Sequence, residues 1–159
     1  MEYHFLIHKK TRQNLIDNLR DTSPEELCAV AEGYSNTIFW NIAHCLATQQ
    51  LLHYYLSGNP FRTDAYWINT FKKGTLPPPE IEKAKMEYLA YLLEESAKIL
   101  RADYQSGLMN QYESYHTSFG LEIRNINEAI VFNNMHESLH YGYIMAQKRA
   151  VQKAQNITR

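Results

Sequence analysis

An all-α fold, most simply a four-helix bundle, is predicted by three features of the chain. Apolar residues recur at helical spacing over four long stretches, glycines and prolines punctuate the gaps between them, and no alternating stretch is long enough to build a sheet. Its 159 residues suit one domain over 1–159, large enough to bury a core without disulfide staples. The first helix is expected from about Glu2 to Leu19, with Phe5, His8, Arg12, Leu15, Ile16 and Leu19 on one inward stripe. Asp-Thr-Ser-Pro at 21–24 breaks it. Ser23 and Glu26 then read as a capping box with Pro24 at the first helical position, opening a short helical turn that Gly33 ends. The second helix starts near Ser35–Thr37 and stops at Ser57-Gly58-Asn59-Pro60; it is apolar on most sides, as an enclosed helix is.

Residues 58–79 read as a long connection closed by Pro77-Pro78-Pro79. The third helix is expected from about Glu80 to Leu100, with Ile81, Ala84, Tyr88, Tyr91, Leu92, Glu95 and Ile99 near one face, and residues 101–120 as loop. A brief extended stretch is expected over Thr117 to Ile123. The fourth helix then runs from about Ile123 to Ala150, with Lys148 and Arg149 near its end, where cations suit the helix dipole. A 20-residue helix is about 30 Å long, and a connection of about 20 residues at about 3.3 Å each can run back along it. Two long crossover connections therefore allow an up-down-down-up order.

Composition excludes several functions. Sixteen basic residues face 17 acidic ones, a net charge of −1, which leaves no basic footprint for nucleic acid or for an anionic membrane. No apolar run reaches membrane-spanning length. The opening MEYHFLIHKKTRQ is too polar for a signal peptide, so a cytoplasmic protein is expected. The two cysteines, Cys28 and Cys45, form no C-x-x-C, and a disulfide is not expected. Cys45 adjoins His44, but neighbours on a helix point about 100° apart, so it reads as a small buried apolar residue.

The chemistry sits in His136-Glu137-Ser138-Leu139-His140. Histidines four apart share one side of a helix, and both imidazoles can reach one metal ion. The spacing alone is weak: seven histidines give about 0.3 such pairs by chance, and His4 and His8 form another. What favours His136 and His140 is their stripe, which also carries Ile126, Ala129 and Asn133 and looks inward; hydrogen-bonded core histidines are the alternative. The five residues also match the H-E-x-x-H of zinc peptidases. Residues 141–159, however, hold no Asp, Glu, His or Cys for a downstream third ligand. His44, on an interior face of the second helix with Trp40 nearby, supplies a third ligand from upstream. Glu137 is the candidate general base if its side chain turns inward. His8 and Arg12 lie on the inward stripe of the first helix and could reach a cavity mouth.

Asn36-Thr37-Ile38-Phe39-Trp40-Asn41-Ile42-Ala43-His44 resembles the second-helix signature of the DinB-like proteins, and His136-Glu137-Ser138-Leu139-His140-Tyr141-Gly142 resembles their fourth-helix H-x-x-x-H-x-G. The Ser23-Pro24-Glu25-Glu26-Leu27 turn is also similar, and the resemblance spans the first helix through Ala150. It implies a four-helix bundle, three histidines on a divalent metal with one open position, and a homodimer. Some relatives are transferases or isomerases that use a small thiol; others have no assigned activity. Where many relatives carry glutamine after the glycine, this chain has Tyr143, so the surroundings of the site differ and the substrate does not carry over.

Three neutral imidazoles and an open position suit zinc or nickel, and also accommodate iron or manganese. The function expected is a metal-dependent enzyme acting on a small molecule, a thiol-dependent transferase or a hydrolase, with a low-molecular-weight thiol as a further cofactor. The alternative is a non-enzymatic dimeric bundle whose metal is structural or vestigial.

Overall fold

The computed structural model describes residues 1–157, with side chains through Ala154, and is all-α apart from one small hairpin. Helix α1 spans Glu2–Arg20 and buries the whole expected stripe, from Phe5 to Leu19. Helix α2, Pro24–Cys28, opens on the expected capping box: the Glu26 amide donates to Ser23 Oγ at 3.2 Å and the Ser23 amide to Glu26 Oε2 at 3.1 Å. It ends at Cys28, earlier than the sequence indicates, because Ala29 is already extended. Gly33 instead shapes the following turn, with a φ of 82° that side chains resist.

Helix α3, Ile38–Gln50, starts where Thr37 Oγ1 accepts from the Trp40 amide at 3.0 Å. All its residues are buried except Thr48. It runs on into a π-helical turn, Leu51–Tyr55, that the sequence did not announce; the Leu56 amide reaches back five residues to the Leu51 carbonyl.

The connection over residues 58–79 is not all loop. It contains helix α4, Ala65–Phe71, whose Trp67, Ile68 and Phe71 are buried at helical spacing; the Trp67 ring packs tilted and the Phe71 ring edge-on against Phe39 of α3. Helix α5 spans Lys83–Gln105, a turn longer than expected at its C-terminal end, where Gly107 at φ 76° marks the stop. Its buried face is Met86, Leu89, Ala90, Leu92, Leu93, Ser96 and Leu100. Tyr88 and Tyr91, expected inward, are exposed and stack on one another with ring centroids 5.9 Å apart. Of the expected extended stretch only β2, Glu122–Ile123, is a strand; it pairs with β1, Tyr115–His116, which precedes the stretch, and residues 117–121 turn between them. Helix α6, Ile126–Ile157, continues past Ala150, so Lys148 and Arg149 do not lie in its last turn.

Helix α1 packs on α5 and α6, and α3 packs on α4, α6 and α5. The core falls into two apolar clusters. One lies around Leu15, Ile16, Ile42, Leu46, Leu89, Leu93 and Ile144; the other, toward the hairpin, holds Phe5, Leu52, Leu100, Ile126 and Ile130. Between them every long helix contributes buried polar side chains: His8 and Arg12 from α1, Gln49 and Gln50 from α3, Ser96 from α5, Asn133 and Glu137 from α6. No helix among the described residues is long and apolar enough to cross a membrane.

Candidate metal centre

One turn of α6 separates His136 from His140, and α3 carries His44 across to meet them. The ring centroids lie 4.5 Å apart for His136–His140, 4.9 Å for His44–His140 and 5.2 Å for His44–His136. One nitrogen from each ring can be chosen so that all three lie within 4.8 Å of one another. The structure thus brings together the three histidines that the sequence singles out. His44 is buried, while His136 and His140 are half-buried, so the trio stands at the edge of the core.

Two rings are held by their far nitrogens. His44 Nδ1 donates to the Phe71 carbonyl at 2.7 Å, and the Trp40 indole stacks on the same ring at 4.6 Å. A carbonyl only accepts, so Nδ1 carries the proton and Nε2 keeps the lone pair that a metal would take. His140 Nδ1 lies 3.0 Å from Asn41 Oδ1. The Asn41 amide is oriented by its own donors, which go to the Thr37 carbonyl at 3.0 Å and to Gln147 Oε1 at 3.1 Å, while Gln147 Nε2 donates to the Asn36 carbonyl. His140 Nε2 therefore carries the lone pair of its ring as well. Outer partners of this kind fix the tautomer of metal-binding histidines. The third ring, His136, has a buried Nδ1 with no hydrogen-bond partner, an unmet polar atom of the sort a metal or solvent satisfies. The donor set fits a divalent ion that takes imidazole nitrogen.

Electrostatics agree. Burial lowers the pKa of His44. Burial first, then the neighbouring imidazoles, push His136 down to about 4 and His140 to about 3. All three rings are neutral at pH 7, as ligation requires.

Glu137 turns inward, as its expected role as base demands, but away from the trio. Arg12 Nε donates to its Oε2 at 2.9 Å, Arg12 Nη2 to its Oε1 at 2.6 Å and Asn133 Nδ2 to Oε1 at 2.7 Å; His8 Nε2 stands 3.3 Å from Oε1. Burial favours the neutral acid, yet Arg12 and then His8 hold the carboxyl far below the usual range. A carboxylate so held is a poor proton acceptor. Arg12 and His8 are buried with it, and Arg12 also lines a groove between α1 and α5 beside Phe5 and Ile16. Arg12 also donates to Ser96 Oγ, the Cys45 carbonyl and Gln49 Oε1, so its fork ties all four long helices together. His4 stands outside the trio, half-buried near the start of α1. Cys28 and Cys45 are free thiols; Cys45 is buried, and burial pushes its thiol pKa well up. Tyr143, the departure from the common pattern, packs edge-on against Tyr34.

Sequence reading missed His53, which lies on the π-helical turn, fully buried, with both ring nitrogens lacking a hydrogen bond of ordinary geometry. Burial and then the charge of His8 drive its pKa down to about 3, against the Glu137 carboxylate and then the Ala129 carbonyl. His53, His136 and His140 thus stay neutral in the fold but take up protons near pH 6.5 once unfolded. Their contribution to stability is complete above that pH and is lost as the pH falls toward 4 and below. About three extra protons on the unfolded chain mean a loss of about 4 kcal/mol per pH unit at the steepest. The metal-free protein is expected to unfold on acidification between about pH 6 and pH 4. A urea midpoint that stays level down to pH 4 contradicts the assignment of these rings as neutral.

The family profile described as the DinB superfamily matches residues 7–144. No curated protein matches the chain. The matched span runs from α1 through all three histidines and covers most of the sequence, and the chain belongs to the DinB superfamily.

Proposed function

We propose that this protein is a metal-dependent enzyme acting on a small molecule, a thiol-dependent transferase or a hydrolase, built as an up-down-down-up four-helix bundle around one divalent ion on His44, His136 and His140. The observation that carries the reading is the convergent donor set: two imidazoles whose Nδ1 atoms are pinned to oxygens, and a third with a buried, unmet nitrogen. Three protein ligands leave a tetrahedral ion one position short, and structural zinc sites are closed by four. Zinc or nickel suits the nitrogen donors, with iron or manganese also accommodated. The bound ion supplies Lewis acidity and a place for an anion such as a thiolate. The protein's own part is to hold the imidazoles neutral and oriented through the Phe71 carbonyl and Asn41. Glu137 belongs to the framework rather than to proton transfer.

Cobalt-loaded, tag-free protein tests this. Titration with small thiols is expected to raise a sulfur-to-metal charge-transfer band that is missing in His44→Ala. If no thiol perturbs the spectrum, the transferase reading fails and a bundle with a structural or vestigial metal replaces it. The exposed apolar side chains Val131, Leu139 and Tyr143 along α6 support a homodimer as the working state. Sedimentation equilibrium at micromolar concentration should give twice the chain mass, and a monomer mass contradicts it.

A further inference from the structure

Thr48 is the one residue of α3 that is not buried, and it stands a single turn after His44. Its Oγ1 lies 3.2 Å from His44 Nε2. The direction of that hydrogen bond follows from the opposite side of the ring. Nδ1 gives its proton to the Phe71 carbonyl, so Nε2 has only a lone pair to offer and the threonine hydroxyl must donate. A helical threonine usually bonds the backbone carbonyl four residues back; here the hydroxyl goes to the side chain of that residue instead. The lone pair it covers is the one a metal needs from His44. Trp40 closes a face of the ring, and Thr48 stands at the ligating edge.

We propose that Thr48 governs the open coordination position. Its hydroxyl donates to His44 Nε2 while that nitrogen is vacant and, once the nitrogen is committed to a metal, donates to the anion held in the remaining position. The inference rests on the metal-centre reading above. The switch needs the oxygen to swing aside: a metal about 2.0–2.1 Å from Nε2 would take the lone-pair direction that Oγ1 now faces at 3.2 Å, so rotation about the Cα–Cβ bond carries the hydroxyl toward the neighbouring coordination position. Thr48 is a positioning residue in the first state and an anion-binding residue in the second. The ligand class it selects is a small anion able to accept a hydrogen bond while bound to the metal.

The two roles have opposite consequences when the hydroxyl is removed. Thr48→Val keeps the shape of the side chain. Metal uptake no longer has to displace a hydrogen bond, so zinc binding should tighten about two- to tenfold, the worth of a neutral hydrogen bond. A bound anion loses a donor, so anion binding should weaken about ten- to a hundredfold, as for hydrogen bonds to charged groups. Thr48→Ser retains the hydroxyl and should match the unmodified protein in both respects. The measurements are zinc affinity by chelator competition and azide affinity of the cobalt-loaded protein from its visible spectrum. A packing fault would weaken both, whereas the proposal requires tighter zinc and weaker azide in Thr48→Val with recovery in Thr48→Ser. Zinc binding that is unchanged or weaker in Thr48→Val, or azide binding that is unchanged, overturns the proposal and leaves the metal centre standing. If the unmodified protein holds neither zinc nor cobalt, the metal centre itself is refuted and this inference falls with it.

Discussion

Replacing His136 or His140 by alanine is expected to weaken zinc binding about a hundred- to a thousandfold, while His4→Ala leaves it unchanged. Apparent binding free energies at four-ligand zinc sites, about 10–16 kcal/mol, divide into roughly 2.5–4 kcal/mol per ligand. Each of these two rings offers one of the three nitrogens that, among the described residues, meet within 4.8 Å. Loss of His140 also releases Asn41, which is otherwise tied to Thr37 and Gln147. His4 forms the other spacing-four pair with His8, yet His8 is engaged with Glu137 and has no place in the trio. Chelator competition on tag-free variants measures the effect. Equal losses in His4→Ala and His136→Ala would show that the wrong pair carries the ion.

The second large effect concerns stability. Arg12→Met should destabilise the fold by about 3–5 kcal/mol, because it strands the Glu137 carboxylate in the interior. Glu137 is fully buried, and Arg12 provides two of its hydrogen bonds. Methionine keeps much of the arginine stem's packing, so the loss reports the missing charge more than a cavity. In a chain of this size the change should lower the melting temperature by roughly 10 °C. The double change Arg12→Met with Glu137→Leu should regain most of that loss, since a buried ion pair replaced as a unit by apolar residues is often neutral. Urea unfolding of the metal-free proteins separates the cases. A single Arg12→Met variant within about 1 kcal/mol of the unmodified protein would contradict the view that this pair ties the helices together.

The long helices were legible because each repeats its apolar residues often enough for the 3.6-residue period to stand out. The stripe on α1 and the capping box at Ser23 reappear in the structure as the sequence describes them. Helix α4 escaped notice because two turns give the period too few repeats, although Trp67, Ile68 and Phe71 carry its inward spacing. The face of α5 was misjudged on its tyrosines, whose amphipathic rings are tolerated outside; the line Met86, Leu89, Leu93, Leu100 was the better guide.

At the site the three histidines could be read from spacing and stripe, but their supports could not. The Phe71 acceptor is a backbone carbonyl, which leaves no mark in a sequence. Glu137 drew attention by adjoining His136, yet adjacent helical residues point about 100° apart. The same geometry that removed Cys45 from the neighbourhood of His44 turns Glu137 toward Arg12. The hydroxyl of Thr48 and the unmet nitrogens of His53 become visible only when α3 is placed against its neighbours.

The central claim is that three neutral imidazoles, from His44, His136 and His140, hold one divalent ion. X-ray absorption at the metal edge, on tag-free protein loaded with one equivalent of zinc or nickel and freed of excess, tests it most directly. The account predicts one ion per chain with about three imidazole nitrogens at about 2.0–2.1 Å and one lighter or sulfur ligand that changes when a thiol is added. Protein that retains no ion after removal of the excess, or an ion with fewer than three imidazoles in its shell, would contradict it.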